Sequence, residues 1–260
     1  MAQQASRFVW RELMTGDVGK AVQFYSKLFG WKSETVDMGT MKYTLVKRGD
    51  QQVGGIYETP AQAKGVPPHW LGYVSVDNVD AACEKAVRLG AKIMMSPMDI
   101  PNIGRWAVIT DPQGAAIAPF RGNMEAPAYT RATPGEFCWD ELMTSDLAAA
   151  NKFYSSLFGW VPVEHDMGAM GKYTLFKSPG TEKDDKAPGV GGAMAMPKDV
   201  QQPPHWMHYI EHADVDKGAT MARELGGQML VPPTDIPQIG RFAVFADPTG
   251  AHFAIYKNAH

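Results

Sequence analysis

Apolar and polar positions alternate over residues 8–14, which predicts a half-buried strand. The period then lengthens. Val18, Ala21, Val22, Tyr25 and Leu28 recur at helical spacing behind Asp17, a good N-cap, and Gly30 stands where a left-handed C-cap is needed. Residues 42–47 and 52–57 predict the two strands of a hairpin, and 69–76 a further strand. Asn78 predicts the cap of a second helix over 81–89, closed by Gly90. Short strands follow at 93–95 and 106–110. Asp111-Pro112-Gln113-Gly114 has the residue preferences of a type I turn, leading into a last strand at 115–120.

The same text is then written again. WRELMTGDVGKAVQFYSKLFGW at 10–31 returns as WDELMTSDLAAANKFYSSLFGW at 139–160, identical at 14 of 22 positions. PPHW at 67–70 returns at 203–206, and DIPNIGRWAVITDPQGA at 99–115 returns as DIPQIGRFAVFADPTGA at 235–251. Block order is kept, and the offset grows from 129 to 136. A repeat this long means duplicated domains rather than a solenoid. The prediction is therefore an α+β chain of two tandem domains, 1–122 and 137–260, joined by an ordered linker over 123–136 that carries Pro127, Pro134 and Gly135. Each domain holds two βαβββ modules, with helices near 17–29, 79–89, 146–158 and 215–225. The second copy carries an insertion, KSPGTEKDDKAPGV at 177–190, whose polar, Gly- and Pro-bearing composition predicts a mobile hairpin loop.

Composition narrows the function classes. Twenty-five Lys and Arg against 28 Asp and Glu argue against a nucleic-acid binder that works by a strong basic field. No apolar window is long enough to span a membrane, and the first ten residues lack a secretory signal pattern. Two cysteines, Cys83 and Cys138, are too few for a disulfide framework or a Cys-rich metal site, so the cytoplasm is the expected compartment. Neither a nucleophilic Ser-His-Asp or Cys-His context nor a phosphate-binding glycine loop is visible.

The motifs GDVGKAVQFYSKLFGW and SDLAAANKFYSSLFGW, the passage VSVDNVDAACEKAVRLGA, and the DPQG and DPTG turns, in this order and twice over, resemble the vicinal oxygen chelate superfamily. That superfamily includes glyoxalase I, bleomycin-resistance proteins and extradiol dioxygenases, and the arrangement is most similar to tandem-domain, glyoxalase-like bacterial proteins. The resemblance implies paired modules in a curved, eight-stranded mixed sheet whose concave face holds a ligand. It does not fix a reaction. Metal-using members place His, Gln or Glu at positions that align here with Trp10, Gly55, Leu71 and Ala118, and with Trp139, Gly192, Met207 and Ala254. None of these side chains ligates a divalent ion. No cofactor is therefore expected, and the resemblance points to a small, partly aromatic, oxygenated ligand held without the family metal.

The alternative is a superfamily enzyme, a lyase, isomerase or oxygenase. It would use a shifted divalent metal ion at Glu141, His205 and His252, or an acid–base site with Glu12 and Glu141 as candidates. A third reading is an interaction protein whose pockets are closed by packing. Candidate ligand-binding residues are Trp10, Tyr43, Gly55 and His69 in the first copy, and Trp139, Tyr173, Gly192 and His205 in the second. Gly54-Gly55 and Gly191-Gly192 leave volume inside strands. Either the Trp10 and Trp139 indoles fill it or a flat ligand stacks there. Glu12 and Glu141 could equally bond backbone, and the two histidines could merely start strands. Arg105 and Arg241 suit a carboxylate or phosphate clamp, or ion pairs to Asp99 and Asp235. The partner expected is a small molecule, on a monomer or homodimer, with no nucleic acid and no membrane.

Overall fold

The computed structural model describes residues 6–39, 41–124, 130–168, 171–197 and 202–259. Residues 125–129 of the expected linker therefore lie outside the described residues. In the first copy the elements run β1 (Phe8–Thr15), α1 (Val18–Phe29), β2 (Lys32–Asp37), β3 (Lys42–Arg48), β4 (Gln51–Glu58), β5 (His69–Ser75), α2 (Val79–Arg88), β6 (Lys92–Ile100), β7 (Gly104–Thr110) and β8 (Ala116–Gly122). The second copy repeats them as β9 (Phe137–Thr144), α3 (Leu147–Phe158), β10 (Val161–Asp166), β11 (Lys172–Lys177), β12 (Gly189–Ala195), β13 (His205–Glu211), α4 (Val215–Glu224), β14 (Gln228–Ile236), β15 (Gly240–Ala246) and β16 (His252–Asn258). They form two eight-stranded mixed sheets, ordered β2-β3-β4-β1-β5-β8-β7-β6 and β10-β11-β12-β9-β13-β16-β15-β14. The four expected helices stand within a residue or two of their predicted places.

The caps explain why the helices start and stop there. Asp17 Oδ1 accepts from the Lys20 amide at 2.8 Å, and Gly30 adopts φ 70° as the αL cap. Asn78 caps α2 through the Ala81 amide at 2.9 Å, so that helix begins at Val79, two residues before the apolar periodicity shows it. Strands β2 and β10 have no counterpart in the sequence reading. Their residues, KSETVD and VPVEHD, are mostly exposed at the sheet edge and show no apolar alternation strong enough to mark them. Strand β6 is also longer than expected; Pro97 is tolerated because β6 is an edge strand.

Contacts gather the chain into two compact units whose limits cut across the sequence repeat. One comprises Met1–Val9, Gly72–Ala128 and Asp140–Trp206; the other comprises Trp10–Leu71, Tyr129–Trp139 and Met207–His260. Each joins a module of one copy to a module of the other, with α2 against α3 in the former and α1 against α4 in the latter. Helix α1 buries Ala21, Phe24, Tyr25 and Leu28. Each large apolar side chain so placed contributes roughly 1.5–3 kcal/mol relative to exposure. In the same unit Leu13, Val46 and Ile56 pack on this cluster together with Ile210, Phe245 and Phe253.

One buried polar chain recurs in each unit. Trp70 Nε1 donates to the Tyr25 hydroxyl at 2.9 Å, and that hydroxyl donates to Asp247 Oδ2 at 2.9 Å. The other Asp247 oxygen accepts from the amides of Thr249, Gly250 and Ala251, which closes the DPTG turn. In the other unit Trp206 Nε1 donates to Tyr154 at 3.0 Å, Tyr154 donates to Asp111 Oδ2 at 2.9 Å, and Asp111 Oδ1 holds the amides of Gln113, Gly114 and Ala115. Burial, and then the neighbouring carboxylate, push the Tyr25 and Tyr154 hydroxyls well above their ordinary range, so both stay neutral donors.

The linker is ordered where it is described. The Gly135 amide donates to Glu211 O at 2.8 Å, and its carbonyl accepts from Trp31 Nε1 at 2.7 Å. The 177–190 insertion forms the β11–β12 hairpin loop and is better organised than a mobile loop. Lys177, 4% exposed, donates its ammonium to the carbonyls of Asp184 and Ala187 at 2.9 and 2.6 Å.

Removing one hydroxyl from the buried chain tests its weight. Tyr25→Phe strips a partner from both an indole N–H and a carboxylate, and is expected to cost roughly 2–4 kcal/mol in urea denaturation. Asp247→Ala is expected to cost more, because three turn amides lose their acceptor as well. A loss under about 1 kcal/mol for both would show that water substitutes for the chain.

Candidate functional site

The sheet face turned away from the helices carries the candidate residues. On β1 the core-facing residue is Leu13, so Trp10, Glu12 and Met14 point the other way; on β4 Ile56 faces the core, and Gly55 and Tyr57 share the opposite face. Glu12 and Gly55 are register partners in the parallel β1–β4 pair, and Tyr43 faces Tyr57 across β3–β4. The side chains then connect. Trp10 Nε1 donates to the Tyr43 hydroxyl at 2.9 Å, which donates to Glu12 Oε2 at 2.9 Å. Glu12 is only 7% exposed.

This arrangement corrects one expectation. Neither the indole nor a ligand takes the space left by Gly55; the Tyr43 hydroxyl does. A Cβ on Gly55 would stand 1.8 Å from that oxygen. Gly54 serves the other face, where a Cβ would meet Arg11 O at 2.8 Å. The second copy repeats both devices: a Cβ on Gly192 would lie 1.9 Å from the Tyr173 hydroxyl, and one on Gly191 would lie 3.2 Å from Asp140 O. Gly192 is in register with Glu141. The paired glycines are thus required by two close approaches, one on each face of the strand.

Aromatic side chains gather on β5, β7 and β8. Tyr73 stacks on Trp106 at 5.6 Å and 17°, and Phe120 meets Tyr73 edge-on at 5.9 Å. The second-copy module places Tyr209 by Phe242 at 6.3 Å and by Tyr256 at 6.5 Å; Trp139 packs on this cluster with Met207 and Ala254. Trp139 is therefore a packed and still half-buried side chain. His69 and His205 open β5 and β13. In each, ring Nδ1 lies 2.9 Å from a proline carbonyl, Pro67 or Pro203. The tryptophan after each histidine belongs to the buried polar chain.

The donors for a metal ion do not fit. The aligned family positions hold Leu71, Ala118, Met207 and Ala254, all buried apolar groups, besides the indoles and glycines already placed. Among the described residues no group of three or more His, Cys, Asp or Glu side chains is arranged to hold a metal ion.

The arginines are committed to carboxylates. Arg105 makes a two-pronged contact with Asp80 at 2.7 and 2.8 Å and bonds Asp99 at 3.0 Å; Arg241 does the same with Asp216 and Asp235. The Asp99 and Asp235 partners are visible in the sequence loop. Asp80 and Asp216 are not, because they reach across from the first turns of α2 and α4. The Cys83 thiol is buried and pushed up by that burial, as suits an inert side chain.

The comparisons follow this geometry. The sequence profile of the Glyoxalase/Bleomycin resistance protein/Dioxygenase superfamily matches residues 7–118 and 137–255, and the chain belongs to that superfamily. It is 36% identical to CFP32 of Mycobacterium tuberculosis, provisionally named a glyoxylase, over 96% of this chain and 94% of that protein. It is 30% identical to the anthracycline biosynthesis protein DnrV of Streptomyces peucetius, over 95% and 92%. In structure it is similar to the Mn(II)-bound glyoxalase of Novosphingobium aromaticivorans, with TM-score 0.66 and 13% identity over 99% of this chain and 84% of that one. It is equally similar to the 2,3-dioxygenase LapB of Pseudomonas sp. KL28, with TM-score 0.66 and 12% identity over 100% and 94%. These two likenesses concern the fold.

Two outcomes test the site. Gly55→Ala is expected to displace Tyr43 and cost roughly 1–3 kcal/mol, as overpacking does. Added to Tyr43→Ala it should cost far less, so the double variant falls short of the sum of the singles by about 1 kcal/mol or more in chemical denaturation. Additive losses would remove the close approach. The second outcome concerns pH. Burial and carboxylates raise Tyr25, Tyr43, Tyr57 and Tyr154 well above their ordinary value, and Tyr256 is pushed up to about 12 by burial first. The folded state then holds protons that the unfolded chain releases above pH about 10. Their contribution is complete below that pH and is lost as pH rises beyond it. Tyrosinate absorbance of the native protein should lag that of the denatured chain, and alkaline unfolding should release it; superimposable titrations of all nine tyrosines would contradict this.

Proposed function

We propose that the chain binds a small, partly aromatic, oxygenated molecule on the sheet faces turned from the helices, without the family's metal ion. The Trp10–Tyr43–Glu12 array carries the reading: a polar chain anchored in a glycine notch, with the Tyr57 ring stacked on Tyr43. Such sites bind by apolar contact and take orientation from a few fixed polar groups. Within the other compact unit, the stacked Tyr73–Trp106 pair by itself supports a flat ligand. So does the relative DnrV, whose name places it in the biosynthesis of anthracyclines, which are oxygenated polycyclic aromatics. A cytoplasmic location and a monomer or homodimer belong to the same proposal.

A second reading has one observation behind it. Glu12 is a buried carboxylate that accepts from a phenol, a pair suited to moving a proton on an oxygenated substrate. That would make the protein a lyase or isomerase of the superfamily.

Calorimetric titration with 1,8-dihydroxyanthraquinone after treatment with a chelator separates these readings. The binding reading expects saturable binding, a melting temperature unchanged by the chelator, and recovery of the anthraquinone unaltered. It also expects Trp10→Ala to weaken binding by about fivefold or more, from lost aromatic contact. Binding that appears only after manganese or iron is restored, or a chelator-induced fall in melting temperature, would overturn the metal-free claim.

A further inference from the structure

Beside the shared tyrosine–glycine contact the two copies differ in hydrogen-bonding capacity. Opposite Tyr43 in the β3–β4 ladder stands Tyr57; opposite Tyr173 in the β11–β12 ladder stands Met194. Tyr57 lies two residues beyond Gly55, on the same face of β4 as the Tyr43–Glu12 contact. Its ring stacks on Tyr43 with centroids 6.3 Å apart and planes at 17°. The Tyr43 hydroxyl is spent on Trp10 and Glu12. The Tyr57 hydroxyl is not: it makes no hydrogen bond among the described residues, although the side chain is half-buried. That hydroxyl is not sealed from solvent, so its O–H is available to an acceptor that a ligand brings. Burial, and then the Glu12 charge, raise its pKa, so it presents a proton and not a lone negative charge. The same Glu12 charge repels an anion brought to this face.

We propose that the Tyr57 hydroxyl is the donor by which the first-copy face selects its ligand, and that this ligand is an uncharged aromatic carbonyl compound whose oxygen accepts the bond. The proposal rests on the small-molecule reading above and narrows its ligand class. The first-copy face then discriminates by polarity and charge. The second-copy face has a thioether in the same place and cannot donate.

Three probes of one size test this: 2-acetylnaphthalene, 2-ethylnaphthalene and 2-naphthoate, titrated into the wild-type chain and into Tyr57→Phe. The wild type should bind the ketone best and the carboxylate worst. Tyr57→Phe should weaken ketone binding about five- to tenfold, the worth of a hydrogen bond to a neutral acceptor, and leave ethylnaphthalene within about twofold. The carbonyl stretch of the bound ketone should move to lower wavenumber in the wild type and lose that shift in the variant, a signature that packing alone would not produce. Binding of ketone and hydrocarbon with a ratio unchanged by Tyr57→Phe would overturn the assignment while leaving the binding reading intact. No binding of any probe to the folded wild type would overturn both. Equal affinity for 2-naphthoate and the ketone would overturn the selection against anions.

Discussion

The buried Trp–Tyr–Asp chain is the constraint on which the rest of each unit depends. Tyr25 belongs to a helix of the first copy, and Asp247 to a turn of the second; Tyr154 and Asp111 reverse the assignment. A carboxylate taken out of water is tolerated only when its lone pairs are filled. Here one oxygen closes the DPxG turn through backbone amides and the other takes a tyrosine proton. Turn geometry, helix position and indole orientation are therefore fixed by one group. The same chain explains why neither copy is a packing unit alone: the tyrosine of each copy finds its carboxylate in the other.

With that scaffold set, the opposite sheet face is free to carry polar groups. On the core side the strands supply Leu13, Val46 and Ile56, whose truncation would open cavities. On the other side the tyrosine and glycine of neighbouring strands share one volume. The Tyr43 hydroxyl stays where it is because Gly55 has no Cβ, and it is oriented because Trp10 gives and Glu12 takes a hydrogen bond. A polar group held from three directions in this way has little rotational freedom left, which lowers the ordering cost of any contact it makes.

The fold was largely legible in the sequence because its signals are local or repeated. Asp17 and Gly30 mark a helix with no tertiary information, and the duplication marks every block twice. The edge strands β2 and β10 were hidden because exposed strands carry no apolar alternation. The packing units were hidden for a different reason. Repetition shows which segments are alike, and Tyr25 beside Asp247 is a contact between segments that are unlike and 222 residues apart. The site was half legible. Trp10, Tyr43, Gly55 and Glu12 are each visible as unusual choices for their strands, but their connection is diagonal across three strands, and no spacing rule encodes a diagonal. Asp80 was missed for the same reason, since its bond to Arg105 joins a helix N-terminus to a distant strand.

The metal-binding relatives of this fold and the present chain pose one physical problem in two forms. A sheet face that opens onto a ligand must hold something polar, and a metal ion does so with strong ligands at fixed strand positions. In this chain the aligned positions carry indole, glycine, leucine, methionine and alanine, none of which ligates a divalent ion, and the polar groups of the first-copy face are joined by hydrogen bonds instead. Hydrogen bonds are weaker and need pre-positioned partners; the Tyr43 hydroxyl, locked over Gly55, holds the Glu12 carboxylate in place. The two copies share the tyrosine–glycine contact at Tyr43–Gly55 and Tyr173–Gly192 and differ beside it at Tyr57 and Met194. That difference lies on the face away from the core and leaves the buried carboxylates of Asp111 and Asp247 with the same partners in both units.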